Sequence, residues 1–434
     1  MRRLGMVGTA LIVLLVAAGM AHAAGAPETP PGLERALGAQ QAHNPRLLSV
    51  PGVVGTAVGL TGEGRPAVRV FTERAGTTGV PRSLDGVPVE VQVTGKIYAL
   101  APPEGKGPPN RAPKVAIASP KDGETFGSGT SILFEGTATD KEDGDLTADL
   151  VWTANGVEIG TGGQFYATLD DGDYSVTTTA TDAGGLTGLD SVTISVGGGT
   201  GDAPEPGTTE RWPRPVPIGV STGNANECSA GTIGARVRDA TGNVYALSNN
   251  HVYARENEAA LGEEALQPGL YDTGCVYDPD NQLGALAAFV AIVFDGTTAN
   301  YVDAAIALTS ADRLGRATPS AGYGAPKAAT ASAEVGLAVQ KFGRTTEWTE
   351  GVVTGVNASI KVGYTSGTAL FEDQVVVEAR KLFLKSGDSG SLLVSQPGRN
   401  PVGLLFAGNR NGKLAVANRI DRVLDALGVA VDGE

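Results

Sequence analysis

Hydrophobic and polar positions change period several times along the chain, and each change marks an element. From Leu33 the apolar residues first recur at helical spacing (Leu33, Leu37) and then gather into valine-rich runs bounded by turn residues. The runs "GVVGTAVGL" and "AVRVFTE", and the alternation of Val87, Val89, Val91 and Val93, predict strands. Residues 31–100 therefore read as a small α/β domain. Between 113 and 197 the period is two: Ile132, Phe134 and Ala138, then Tyr174, Val176 and Ala180, then Val192, Ile194 and Val196. Turn signals such as "DDGD" and "DAGG" separate these runs, which predicts a β-sandwich with Trp152 in its core. Beyond residue 216 come many short strands, among them "TIGARVRD", "NVYALSNN", "QVVVEA" and "VGLLFAG", the pattern of an all-β barrel or sandwich. At the end the period returns to helical, with Ile420, Val423, Leu424 and Leu427 on one face and Gly428 as a stop.

Two glycine- and proline-rich stretches, 101–112 and 198–215, cannot build a core and are expected to be linkers. The segment between them contains "TATDKEDGDLTADLVWTANG" and "TATDAGGLTG", and it resembles bacterial immunoglobulin-like or PKD-type modules of secreted proteins. Its acidic turn, Asp140 to Asp145, has the carboxylates a calcium ion would take. The spacing matches no defined calcium loop, so a solvated turn is the simpler reading and no metal or cofactor is expected.

Composition narrows the function classes. Arg2 and Arg3, an apolar run from Met6 to Gly19 and Ala21-His22-Ala23 have the order of a secretory signal peptide, assigned to 1–23. The run is short for a membrane span, and no second run of that kind follows. The expectation is a secreted protein, extracellular or periplasmic. Without Arg2 and Arg3 the 33 basic residues become 31 against 47 acidic ones, a balance that disfavours nucleic acid as a partner. Cys228 and Cys275 are the two cysteines; in an oxidising compartment pairing is the simplest expectation, with free thiols as the alternative.

Candidate chemistry is confined to the last segment. A serine hydroxyl needs a base within reach and a third group to orient that base. The segment has one histidine, His251, where the run "NVYALSNNHV" turns polar at a strand end. Asp303 sits in the apolar stretch "NYVDAAIALTS", where burial needs a partner such as a protonatable histidine. Ser389 lies in "SGDSGS", where Gly387 allows the backbone amides of Gly387 and Ser389 to converge as an oxyanion hole. Position 391 is serine, so the G-x-S-x-G elbow is not matched.

"SNNH", "VDAAIA" and "SGDSGS", in that order, resemble the chymotrypsin/trypsin-like serine peptidases, in particular a divergent bacterial branch. The resemblance implies a double β-barrel with a C-terminal helix over 216–434, and a His251–Asp303–Ser389 triad acting on a protein or peptide substrate. It also makes "GRTTEWTEGVV" (343–353) the hairpin opening the second barrel, and "PVGLLFAGN" (401–409) the strand lining the cleft. Phe383, Phe406, Ala407 and Gly408 then line the primary pocket and favour small or apolar side chains. Three departures stand out: Val252 replaces the usual cysteine, no activation site is visible near 215, and Asp388 has no free N-terminus to pair with. The position of 31–100 suits a propeptide or an accessory module. The fold expected is thus multidomain and mainly β, in a monomer with a secreted serine endopeptidase activity. The alternative is a non-catalytic binding or adhesion protein that meets a surface partner through its immunoglobulin-like module.

Overall fold

The computed structural model describes residues 32–100, 112–141, 143–183, 186–197 and 205–434. The expected signal peptide and residues 101–111 lie outside the described residues. Among those described the chain is mainly β, with three α-helices, Leu33–Leu48, Asn250–Tyr253 and Ile420–Leu427. No described helix is long and apolar enough to cross a membrane.

Residues 114–196 form two facing sheets. One is built on Val151–Ala154, Gly172–Thr181 and Thr187–Val196, the other on Lys114–Ser119, Ile132–Asp140 and Gln164–Ala167. Ile132, Phe134, Ala138, Trp152, Val176, Ala180, Ile194 and Val196 are buried between them. Trp152 keeps its indole N–H satisfied by donating to the Gly162 carbonyl at 2.9 Å, as a buried tryptophan requires. In the acidic turn, Asp140 accepts from the Asp143 amide and Asp145 from the Thr147 amide, so these carboxylates brace the turn's own backbone.

The first segment does not stand apart from the last. Helix Leu33–Leu48 packs on strands Val53–Leu60 and Pro66–Thr72, with Leu33, Ala36, Leu47, Val58, Val68 and Val70 in one buried cluster. Val53–Leu60 then pairs antiparallel with the long strand Glu347–Gly363, in the register Gly55↔Ile360 to Gly59↔Gly355. The sheet thus runs from the first segment into the strands of residues 338–419. Polar groups stitch the join. Gln40 and Asn357 exchange two hydrogen bonds, Asn44 donates to Ser359, and Arg69 pairs with Glu378 at 2.7 Å. Val91 and Val93, expected to alternate inward, are about half exposed at 49% and 52%, because Val87–Val93 lies near the sheet's outer edge, where only the two-residue strand Ser83–Leu84 follows it.

A second, eight-stranded sheet is built from strands between Ser221 and Thr309 and closed by Val429–Val431. Helix Ile420–Leu427 buries Ile420, Val423 and Leu424 and ends at Gly428, whose φ of 66° is the left-handed conformation of a helix stop. Residues 205–215, expected as linker, are held at points: Trp212 is buried, its amide donates to Gln267 and its indole to the Gly207 carbonyl, and Arg211 donates to Asn281. Aromatic and arginine side chains anchor here what glycine and proline composition alone predicts to be free. Cys228 and Cys275 form a disulfide with Cα atoms 5.1 Å apart.

Candidate active site

His251 and Asp303 meet because of strand register. Val244–Ser248 pairs antiparallel with Ala305–Thr309, Ser248 lying opposite Ala305. His251 follows the end of one strand and Asp303 precedes the start of the other, so both fall at the same end of the sheet. Asn249 fixes the junction by donating to the Asp303 carbonyl at 2.7 Å, and the Asp303 amide donates to Asn418 at 2.9 Å. His251 Nδ1 lies 2.6 Å from Asp303 Oδ2, and Nε2 lies 2.7 Å from Ser389 Oγ. All three residues are buried. Burial opposes a charged imidazole, but the Asp303 carboxylate and its hydrogen bond outweigh it and hold His251 above its ordinary value of 6.5.

Ser389 comes from the other sheet's side, in a loop clamped on both flanks. Thr232 donates from its amide to the Ser389 carbonyl and from its hydroxyl to the Gly387 carbonyl, at 2.7 and 2.8 Å. Gly390 donates to the Leu405 carbonyl. Gly387 and Gly390 have φ of 92° and 89°, and a Cβ on Gly390 would collide with Ser248 and the Thr232 carbonyl. Only glycine fits both positions.

Two residues that the sequence did not single out complete the surroundings. Tyr364 donates its phenol to Asp303 Oδ2 at 2.8 Å, the same oxygen that holds His251. Burial beside Asp303 pushes this phenol well above its ordinary value, which keeps it a donor. Lys341 answers the missing N-terminus. Its ammonium lies 3.6 Å from Asp388, both side chains being fully buried. Asp388 also accepts from the amides of Thr345, Thr346 and Lys385 and from the Thr346 hydroxyl. A buried lysine in a strand is the available signal, but an apolar–polar pattern cannot say which carboxylate it meets.

The four expected pocket residues are divided. Phe383 is buried with Leu384 and Leu405, whereas Phe406 packs on Phe371 in a separate cluster, 4.7 Å between ring centres. Phe406, Ala407 and Gly408 lie on strand Pro401–Asn409. The backbone of that strand is occupied. Ile97–Ala99 pairs antiparallel with it, Ala99 opposite Ala407 and Tyr98 opposite Gly408. Leu100 continues the pairing by donating to the Phe406 carbonyl at 3.3 Å, and its own carbonyl accepts from the Gly387 amide at 2.9 Å.

Comparison with known proteins gives a family for one segment. Residues 113–177 match the bacterial Ig domain family model. No curated protein matches the chain. Among solved structures, Nocardiopsis protease and Thermobifida fusca protease A are each 19% identical with a TM-score of 0.36, covering 50% of this chain and 99% and 100% of theirs. Cellulomonas bogoriensis chymotrypsin is 23% identical over 47% of this chain and 91% of its own, with a TM-score of 0.32. At such scores likeness assigns no activity, which has to come from the side chains themselves.

Proposed function

We propose that the protein is a secreted serine endopeptidase in which Ser389 is the nucleophile, His251 the general base and then general acid, and Asp303 the group that orients it. The observation that carries this is the unbroken chain Asp303–His251–Ser389, with contacts of 2.6 and 2.7 Å inside buried surroundings. Neutral His251 accepts the Ser389 proton as Oγ attacks a peptide carbonyl. The oxyanion forms at the Gly387 amide, where donors act before any rearrangement is needed. The imidazolium then returns its proton to the leaving amine, and water repeats the cycle on the acyl ester.

A fluorophosphonate probe followed by mapping of the labelled residue tests the assignment. Label on Ser389 that disappears in His251→Ala is the expected result. A Ser389 that stays unlabelled in the full chain and in Leu100→Gly would sink it. The binding-protein reading, favoured by the bacterial Ig domain match, would then take its place.

A further inference from the structure

We infer that Leu100 is seated in this protein's own cleft as the residue before the cut, so that the protein cleaves its chain on the carboxyl side of Leu100 and prefers leucine at that position in other peptides. This rests on the proposed role of Ser389. Three features of 97–100 are those of a bound substrate's acyl half. The strand adds antiparallel to Pro401–Asn409, which supplies main-chain hydrogen bonds independent of side chains. The Leu100 amide is held by the Phe406 carbonyl. The Leu100 carbonyl oxygen points at the Gly387 amide, in the loop that carries Ser389. An accessory strand that merely covered the cleft would have no reason to end with its carbonyl on that donor.

The side chain sets the preference. Leu100 is 7% exposed and belongs to the buried cluster of Phe383, Leu384, Leu405, Val353 and Val377. A charged side chain placed there would be buried without a partner, and a small one would leave space.

In the reaction, Ser389 Oγ bonds to the Leu100 carbonyl carbon and its proton passes to His251 Nε2. The bond to the Ala101 nitrogen breaks, and that nitrogen takes the proton from His251. One water then hydrolyses the Leu100 ester, leaving a Leu100 carboxylate and restoring Ser389. Because the cut falls before residue 113, the immunoglobulin-like segment stays joined to the residues that carry the triad.

Purified full-length protein, its Ser389→Ala variant and its Leu100→Asp variant are analysed by intact mass after incubation, with fluorophosphonate labelling in parallel. The expected result is an N-terminal piece ending at Leu100 in the parent and no such piece in either variant. As a second measurement, insensitive to how Leu100→Asp folds, the parent is given Ile-Tyr-Ala-X p-nitroanilides. Leucine at X is expected to exceed alanine, lysine and aspartate in kcat/KM by roughly 100-fold. A retained N-terminal piece competes with all four alike and leaves that ratio unchanged. A labelled Ser389 with cleavage at another bond, or with lysine or aspartate preferred at X, overturns this inference and leaves the peptidase assignment standing. An unlabelled Ser389 in the parent and in Leu100→Gly overturns both.

Discussion

Single side chains decide the chemistry. With Ser389 as the proposed nucleophile, Ser389→Ala should lower kcat by roughly 10⁶, since triad members act as a unit, and peptide hydrolysis followed to long times measures it. The His251–Asp303 contact fixes the pH dependence. Only neutral imidazole can take the Ser389 proton, so kcat/KM should rise with a midpoint above 6.5. Stability carries the opposite sign. His251 is raised by its partner, so the stabilisation is fully present below 6.5 and is lost as pH climbs through the raised value. Urea unfolding of Ser389→Ala at several pH values checks that. Tyr364→Phe removes a hydrogen bond to a carboxylate and should cost about 1.5 kcal/mol in urea unfolding. It should also move the rising limb to higher pH, because Asp303 then spends more of its charge on His251. A purely structural role for Tyr364 would leave the limb in place.

At the scale of elements, the hairpin of Ala338–Gly343 and Glu347–Gly363 does more than extend a sheet. It carries Lys341 beneath Asp388, and its turn presents the Thr345 and Thr346 amides to the same carboxylate. Burial works against the Lys341 charge, and Asp388 opposes that effect. Lys341→Met leaves Asp388 buried without its cation and should cost about 3–5 kcal/mol in chemical unfolding. Adding Asp388→Asn should recover part of the loss, since a neutral amide needs no cation. The hairpin and strand Pro401–Asn409 were legible from valine- and leucine-rich runs. What the Lys341 ammonium touches was not, because its partner is 47 residues further along the chain.

For the whole molecule, the shared sheet makes the first segment part of the last one. Gly55 packs so closely on Ser359 and Ile360 that a Cβ there would meet backbone atoms within 3.2 Å. If the chain is cut after Leu100, the N-terminal piece should still co-elute with the rest on size exclusion. Gly55→Val should release it. The Cys228–Cys275 disulfide closes a loop across a sequence separation of 47 and should contribute about 4 kcal/mol on the chain-entropy model. Unfolding of the Cys228→Ala/Cys275→Ala protein against the parent measures that contribution.

The sequence by itself pointed to the local elements, the sandwich of 113–197 and the candidate residues His251, Asp303 and Ser389. Periodicity reports burial, and rare polar residues in apolar runs mark where burial needs a partner. Tertiary structure alone decided that Tyr364 meets Asp303 and Lys341 meets Asp388, that Phe406 offers its carbonyl rather than its ring, and that residues 97–100 lie along strand Pro401–Asn409. The partners lie 47 residues apart for Lys341 and Asp388, 61 for Asp303 and Tyr364 and 306 for Leu100 and Phe406, so each pairing depends on which strand edges meet. Register at such a distance is set by the whole sheet and leaves no periodic trace in the chain.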